Sequence, residues 1–320
     1  MNLVRPRRLA PGQTVGLIAP SAAANEPERL RFAMETIESL GFRVRSGAHL
    51  FDREGYLAGG DAARAADLNA MFADDGIDVV WCARGGYGAS RLLPLLDFAT
   101  MRGNPKPLLG FSDITALHMA LHTKAGLVSF HGPVAWRAFT PYTLDQLTQV
   151  VMSPKAPVRL GAPPAFEARP GQVEWENRVT TLVPGRARGP LLGGNLCLMA
   201  HLVGTPYFPD LRGAILFLED VDEPHYRIDR MLTQLWLAGA LDGLAGIAFG
   251  KFTEGGPSAS FVQNRVLEDI LGERCQALKI PAVAGLMIGH VENQTTVPVG
   301  CLGELDADAR TLTLLEPGVS

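Results

Sequence analysis

Short apolar runs alternate with helical patterns through the first 130 residues of the chain. Apolar runs that are typical of buried strands occur at Thr14–Ala19, Val79–Ala83, Lys106–Phe111 and Val128–Phe130. Helical patterns lie between Asn25, a candidate cap, and Gly41, and again at Asp61–Phe72, Ala89–Leu96 and Ile114–Lys124. This alternation predicts an α/β unit in which helices cover both faces of a parallel sheet.

Ligands of such sheets bind beyond the carboxyl ends of the strands. The loops expected at that edge are Pro20–Ser21, Arg84–Gly88, Ser112–Asp113 and His131–Gly132. The sequence therefore predicts that these four loops line one site.

The rest of the chain has a different pattern. Prolines interrupt residues 136–185, which we interpret as a linker between a unit at 1–135 and a second unit at 186–320. Helices are predicted near 195–203, 226–238 and 261–271. Strands are predicted at Ala214–Leu218, Ile247–Phe249, Thr295–Val299 and Thr311–Leu314. This mixture indicates a smaller α+β domain.

Composition excludes several classes of protein. The net charge of -4 over 320 residues, with no basic stripe, argues against a nucleic-acid partner. Apolar runs are too short for a membrane span, and the first twelve residues lack the apolar core of a signal peptide, so a cytoplasmic protein is expected. The four cysteines show no paired spacing, and histidines show no metal-ligand spacing, so we expect buried free thiols and no metal.

Ser112 lies between a predicted strand and a predicted helix, in the run Gly110-Phe111-Ser112-Asp113. Backbone N–H groups at a helix start, including that of Asp113, stabilise the oxyanion formed in acyl transfer. The full G-x-S-x-G pattern is absent because Ile114 stands at its last position. A serine before a helix is also a common N-cap, so both interpretations remain open.

The run Arg84-Gly85-Gly86-Tyr87-Gly88 lets the backbone approach a ligand closely. The N–H of Gly85 or Gly86 is a candidate second oxyanion donor. A plain turn and a nucleotide-binding loop are alternatives, although Arg91 replaces the small residue of the dinucleotide pattern and no P-loop lysine follows.

Glu219 ends an apolar run, and His290 follows a glycine just before a predicted strand. Surface ion pairing is the alternative for Glu219, and six other histidines compete with His290. A nucleophile, a base and an orienting carboxylate can come in several chain orders, so spacing alone does not choose them.

Taken together, the motifs resemble the LD-carboxypeptidases, whose relatives include the microcin C self-immunity peptidases. The resemblance extends from about Val15 to Gly300 and rests on six segments in the family's order. They are Gly16–Ser21, Arg84–Gly88, Gly110–Leu117, Gly193–Leu196, Leu218–Val221 with Tyr226–Arg230, and Gly289–Val291.

The resemblance implies a Ser112–His290–Glu219 triad and an oxyanion hole from the backbone of Gly86 and Asp113. It also implies hydrolysis of the L,D-amide that releases terminal D-Ala from murein tetrapeptides during cytoplasmic cell-wall recycling. The family's fold is a flavodoxin-like N-terminal domain joined to a small C-terminal domain that contains a β-barrel, often as a homodimer. No cofactor is expected.

Two departures bear on the substrate. The run Pro20–Ala23 keeps only part of the family's serine-rich turn, and Ser21, Arg84 and Gly85 are the candidate substrate contacts. No insertion separates Glu219 from Tyr226, which favours a murein peptide over a peptidyl-nucleotide antibiotic. A non-enzymatic nucleotide-binding protein that uses the Arg84–Gly88 loop is the third hypothesis.

Overall fold

The computed structural model describes residues 2–257 and 265–320. Its strands, numbered along the chain, are β1 (Thr14–Ile18), β2 (Arg43–Ser46), β3 (Val79–Cys82), β4 (Leu108–Gly110), β5 (Ser129–His131), β6 (Val158–Leu160), β7 (Thr180–Val183), β8 (Arg186–Asn195), β9 (Ile215–Val221), β10 (Gly246–Thr253), β11 (Ala282–Ala284), β12 (Val297–Val299), β13 (Leu302–Asp306) and β14 (Thr311–Leu314). The α-helices are α1 (Pro27–Ser39), α2 (Asp61–Ala73), α3 (Phe98–Gly103), α4 (Thr115–Ala120), α5 (Pro141–Leu147), α6 (Leu196–Leu202), α7 (His225–Leu237) and α8 (Leu267–Leu278).

The first sheet has the strand order β12-β5-β4-β3-β1-β2. Strands β1 to β5 are parallel, and β12 adds to β5 in the antiparallel direction. All residues of β1 and β3 are buried, as expected where helices cover both faces of a sheet. The predicted α/β class is confirmed.

The second sheet has the order β6-β14-β13-β8-β9-β10-β11-β7. Its centre, β8 to β11, is parallel, and the strands outside it pair in the antiparallel direction. Both edge strands come from the proline-rich region, where prolines keep the elements short. The barrel and the domain bounds implied earlier stay predictions.

Several predicted elements have different bounds in the structure. Helix α1 begins at Pro27 after Glu26, and Asn25 does not cap it, because proline is pre-organised for the first helical turn. Residues 89–95 form a 3-10 helix that contains Pro94. The helix predicted at 261–271 falls partly outside the described residues, and α8 continues to Leu278.

The predicted strand Thr295–Val299 is shorter than expected and joins the first sheet, through pairing of Val297 with His131. The N–H of Asn195, at the end of β8, donates to Oγ1 of Thr115 on α4 at 3.0 Å. A methyl group on Gly194 would lie 2.5 Å from the same oxygen, so this close approach requires glycine. The second sheet is therefore fixed against the helix that follows Ser112.

Candidate active site

Ser112 begins a short 3-10 helix directly after β4 and has a left-handed backbone, with φ 65°. Such a conformation strains a residue that has a side chain, and strain of this kind is concentrated at functional sites. Gly85 packs against it: a methyl group there would lie 3.1 Å from Cβ of Ser112 and 3.4 Å from its Oγ. The turn has the strained geometry of a nucleophile elbow, although Ile114 replaces the last glycine of that motif.

Glu219 lies near the end of β9, in register with Asn195 of β8. Its Oε2 is 2.7 Å from Nδ1 of His290. The Glu219 side chain is completely buried, whereas the His290 side chain is 12% exposed. The carboxylate therefore orients an imidazole whose other nitrogen is left for a second partner.

Ser112 and His290 line one cleft of about 590 Å³. The ring of Phe111, the residue before Ser112, packs on the His290 ring with 4.7 Å between the centroids. The three residues of the predicted triad, which lie far apart in the chain, are therefore brought to one place. A carboxylate, an imidazole and a hydroxyl in this arrangement can carry out acyl transfer.

The two predicted oxyanion donors lie in loops at the same edge. Gly86 has φ 115° and lines the cleft. Asp113 is the second residue of its 3-10 helix, where the backbone N–H has no partner within the helix. Both positions are compatible with N–H groups that point at a tetrahedral oxyanion.

The Asp113 carboxylate connects three of the four predicted loops. Its Oδ2 accepts hydrogen bonds from Oγ of Ser21 at 2.6 Å and from the N–H of Ala89 at 2.8 Å. Burial raises the pKa of Asp113, and these two hydrogen bonds oppose that rise. Ser21 is itself completely buried, so its hydroxyl holds the loops together. Its predicted substrate contact stays a prediction.

Arg84 supplies positive charge to the cleft. Its guanidinium stacks on the Trp136 ring at 4.2 Å, and Nη1 donates to the Ala23 carbonyl at 2.6 Å. Its Nε is buried without a hydrogen-bond partner among the described residues. Burial and the nearby Arg29 lower the pKa of Arg84. No Asp or Glu in the described part of the chain lines this cleft, so it suits an anionic ligand.

The competing histidines do not line the cleft that contains Ser112. His118 and His131 are completely buried, and burial lowers the pKa of His118 to about 4. His49 pairs with Asp52, whereas the remaining histidines lie outside the cleft lining. His290 is the histidine that lines the cleft together with Ser112.

The nucleotide-loop alternative lacks the structural context it needs. The loop Arg84–Gly88 leads into a 3-10 helix of seven residues, not into an α-helix whose N-terminus could bind phosphate. The first N–H of that helix, at Ala89, is already bonded to Asp113. The geometry therefore favours the oxyanion role of the loop.

A hydrogen-bond network surrounds the carboxylate of Asp220, the residue after Glu219. Asp220 accepts hydrogen bonds from Nδ2 of Asn195 at 2.7 Å and from the N–H of Cys197 at 2.9 Å. Burial, and then the Glu219 charge, raise the pKa of Asp220 to about 6. The sequence signals for this network were the Gly193–Leu196 motif, which contains Asn195, and the Leu218–Val221 motif, which contains Asp220.

The described residues contain no group of three or more His, Cys, Asp or Glu side chains that could hold a metal ion. All four cysteines are free, and three of them are buried. In the same part of the chain, none of the helices has the length and apolar character needed to cross a membrane.

Comparisons with known proteins agree with this geometry. The family model of the LD-carboxypeptidase N-terminal domain matches residues 15–132, and that of the C-terminal domain matches residues 188–305. The Bacillus subtilis protein named probable murein peptide carboxypeptidase is 39% identical over 99% of this chain and 95% of its own length. The murein tetrapeptide carboxypeptidase of Pseudomonas aeruginosa is 35% identical over 92% of this chain and 93% of its own.

A solved structure also matches. The wild-type apo form of the microcin C7 self-immunity protein MccF, a protein of Escherichia coli, aligns with a TM-score of 0.89 at 25% identity. The alignment covers 99% of this chain and 100% of that one. The two-domain α/β architecture is shared with that protein.

Proposed function

Because the chain belongs to the LD-carboxypeptidase family, we propose that it is a serine carboxypeptidase that releases a terminal D-amino acid from murein tetrapeptides. The observation that carries this proposal is the 2.7 Å contact between Glu219 and His290 beside the cleft that also contains Ser112. The names of its relatives from Bacillus subtilis and Pseudomonas aeruginosa support the murein substrate.

In the proposed mechanism, Nε2 of His290 takes the proton of the Ser112 hydroxyl while Oγ attacks the scissile carbonyl carbon. Glu219 accepts the hydrogen bond from Nδ1, which fixes the tautomer and stabilises the imidazolium. The backbone N–H groups of Gly86 and Asp113 bind the oxyanion. His290 then protonates the departing amine, and water hydrolyses the acyl-enzyme by the same steps.

We assign the acyl part of the peptide to the wall formed by Arg84 and Gly85. A murein tetrapeptide carries several carboxylates, and the unpaired Nε of Arg84 is a suitable donor to one of them. Gly85 leaves room for the substrate backbone next to Ser112. Ser21 contributes through Asp113, which it holds in place.

A peptidase of the microcin-immunity type is the second candidate, since MccF shares the fold. The segment between the end of β9 at Val221 and the start of α7 at His225 is too short to hold an inserted nucleotide-binding loop. This favours the murein peptide. The resemblance also leads us to propose a cytoplasmic homodimer, and the free cysteines agree with a reducing compartment.

Mass spectrometry of a substrate panel tests the function. The panel contains the murein tetrapeptide, the same peptide ending in L-Ala, and an aminoacyl sulfamoyl adenosine. We expect only the first compound to be cleaved, with release of its terminal D-Ala, and a decrease in kcat on the order of 10⁶ for Ser112→Ala. Cleavage of the sulfamoyl adenosine alone would support the second candidate, and full activity of Ser112→Ala would exclude the triad. Light scattering of the purified protein tests the homodimer.

A further inference from the structure

A second hollow adjoins the main cleft at His290, and no residue of the glycine loop lines it. It measures about 300 Å³ and is continuous with the main cleft through His290, Arg137 and Ala138, which line both. This volume is at the lower end of the range for ligand pockets. The hollow therefore suits a small group, such as one amino-acid residue, that sits next to the catalytic imidazole.

Two donors in this hollow are not used by the fold. The guanidinium of Arg137 lies 5.7 Å from the Phe111 ring and forms no ion pair in the described part of the chain. Gln294 is 2% exposed, and its Nε2 is buried without a hydrogen-bond partner among the described residues. A free guanidinium and a free amide N–H₂ that line one hollow are suitable donors to a carboxylate.

The other polar groups of the hollow are already committed or lie at its rim. The Thr143 hydroxyl donates to the Glu292 carbonyl at 3.1 Å and accepts from the N–H of Gln294 at 2.9 Å. The Glu292 side chain is exposed and forms no ion pair with Arg137. Arg137 is therefore the cation available to a ligand in this hollow.

We propose that this hollow holds the departing D-residue and that Arg137 binds its α-carboxylate. The inference rests on the proposed function. When Ser112 Oγ forms its bond to the carbonyl carbon, the C–N bond breaks and the nitrogen takes its proton from His290. The departing residue must then lie next to His290 and away from the oxyanion donors, and the hollow is lined by His290 but by neither Gly86 nor Asp113. Recognition of the free carboxylate restricts cleavage to the last residue of a peptide.

The other arginines of the cleft do not fit this role. Arg84 lies beside Gly85 and Gly86, on the side assigned to the acyl part. Arg29 is paired with Glu26 at 2.9 Å and lines only the main cleft. Arg29→Gln is therefore a matched control, because it removes the same charge from the same cleft without touching the hollow.

The test compares a peptide ending in free D-Ala with the same peptide ending in D-alaninamide, for the wild-type enzyme and three variants. We expect Arg137→Gln to lower kcat/KM for the acid about 10- to 100-fold and to leave the amide unchanged, so the acid/amide preference collapses. Arg137→Lys should restore part of the preference, because lysine keeps the charge but lacks the planar fork. Arg29→Gln should keep the preference, and thermal melting should find all three variants folded.

Two outcomes would overturn the inference while the proposed function stands. One is a wild-type enzyme that cleaves the acid while Arg137→Gln keeps the full acid/amide preference. The other is an equal collapse in Arg29→Gln, which would indicate a general charge effect. A wild-type enzyme that cleaves neither peptide would instead overturn the proposed function, and the inference with it.

Discussion

The α-carbon of Gly289 lies directly against the carboxylate of Glu219, so that a methyl group on Gly289 would stand 2.5 Å from Oε2. Gly289 also has φ 110°, a conformation that residues with a side chain rarely adopt. This glycine lets the backbone that carries His290 come close enough to Glu219 for their hydrogen bond. The contact explains why a glycine precedes the histidine in this chain.

We therefore expect Gly289→Ala to displace His290 from Glu219 and to lower kcat by about 100-fold, since small displacements of catalytic groups have effects of that size. Steady-state kinetics on the murein tetrapeptide would measure it. Gly103→Ala is the control, because nothing lies within 4 Å of a methyl group there. Wild-type kcat in Gly289→Ala would show that the glycine does not position the pair.

Glu219→Gln should lower kcat by about 10³- to 10⁴-fold with little change in KM. The amide keeps the size of the side chain but loses the charge that stabilises the imidazolium, and it can select the wrong tautomer. Glu223→Gln is the matched control: the same chemical change on a carboxylate that pairs with Arg227 at 2.9 Å. Equal kcat values for the two variants would contradict the role of Glu219.

The left-handed backbone of Ser112 predicts a difference in stability between two inactive variants. Alanine at φ 65° retains the strain of a side chain, whereas glycine adopts this conformation freely. Ser112→Gly should have a free energy of unfolding about 0.5–1 kcal/mol above that of Ser112→Ala in urea titrations. An alanine variant more stable than the glycine variant would show that the turn is unstrained in solution, because only the entropic cost of glycine would then remain.

Local patterns predicted β1, β3, β4 and β5 because these strands are continuous apolar runs between helical patterns, but they missed the edge strand β2, whose residues Arg43–Ser46 are polar or only half-buried. They predicted a strand at Thr295–Val299 but could not assign β12 to the first sheet. The three residues of an antiparallel edge strand do not reveal which strand they pair with. Ser112 and His290 were grouped only through the family resemblance, because contacts between distant residues leave no local signal. Arg137 and Gln294 were not singled out, because the lack of a partner is visible only once the fold is known.

At acid pH, the free energy of unfolding should depend on the protonation of His118. The imidazole is completely buried, with Nδ1 next to Oγ of Ser129 and Nε2 next to the Gly110 carbonyl, each at 2.8 Å. Burial lowers its pKa from 6.5 to about 4. Between these values the unfolded chain binds a proton that the folded protein does not. His118 therefore contributes stability that is fully present above pH 6.5 and is lost as the pH falls toward 4.

Other buried groups act in the same window, so the informative quantity is a difference between two proteins. The raised pKa values of Asp113 and Asp220 favour the folded state on acidification, and the lowered pKa of His131 opposes it. His118→Gln keeps a donor near Gly110 but does not titrate. Relative to wild type, its free energy of unfolding should rise by about 3 kcal/mol between pH 7 and pH 4, given the pKa of about 4. Urea titrations at each pH would measure this difference in the free energy of unfolding. If the free energies of the two proteins changed in parallel with pH, His118 would have an ordinary pKa in the folded protein.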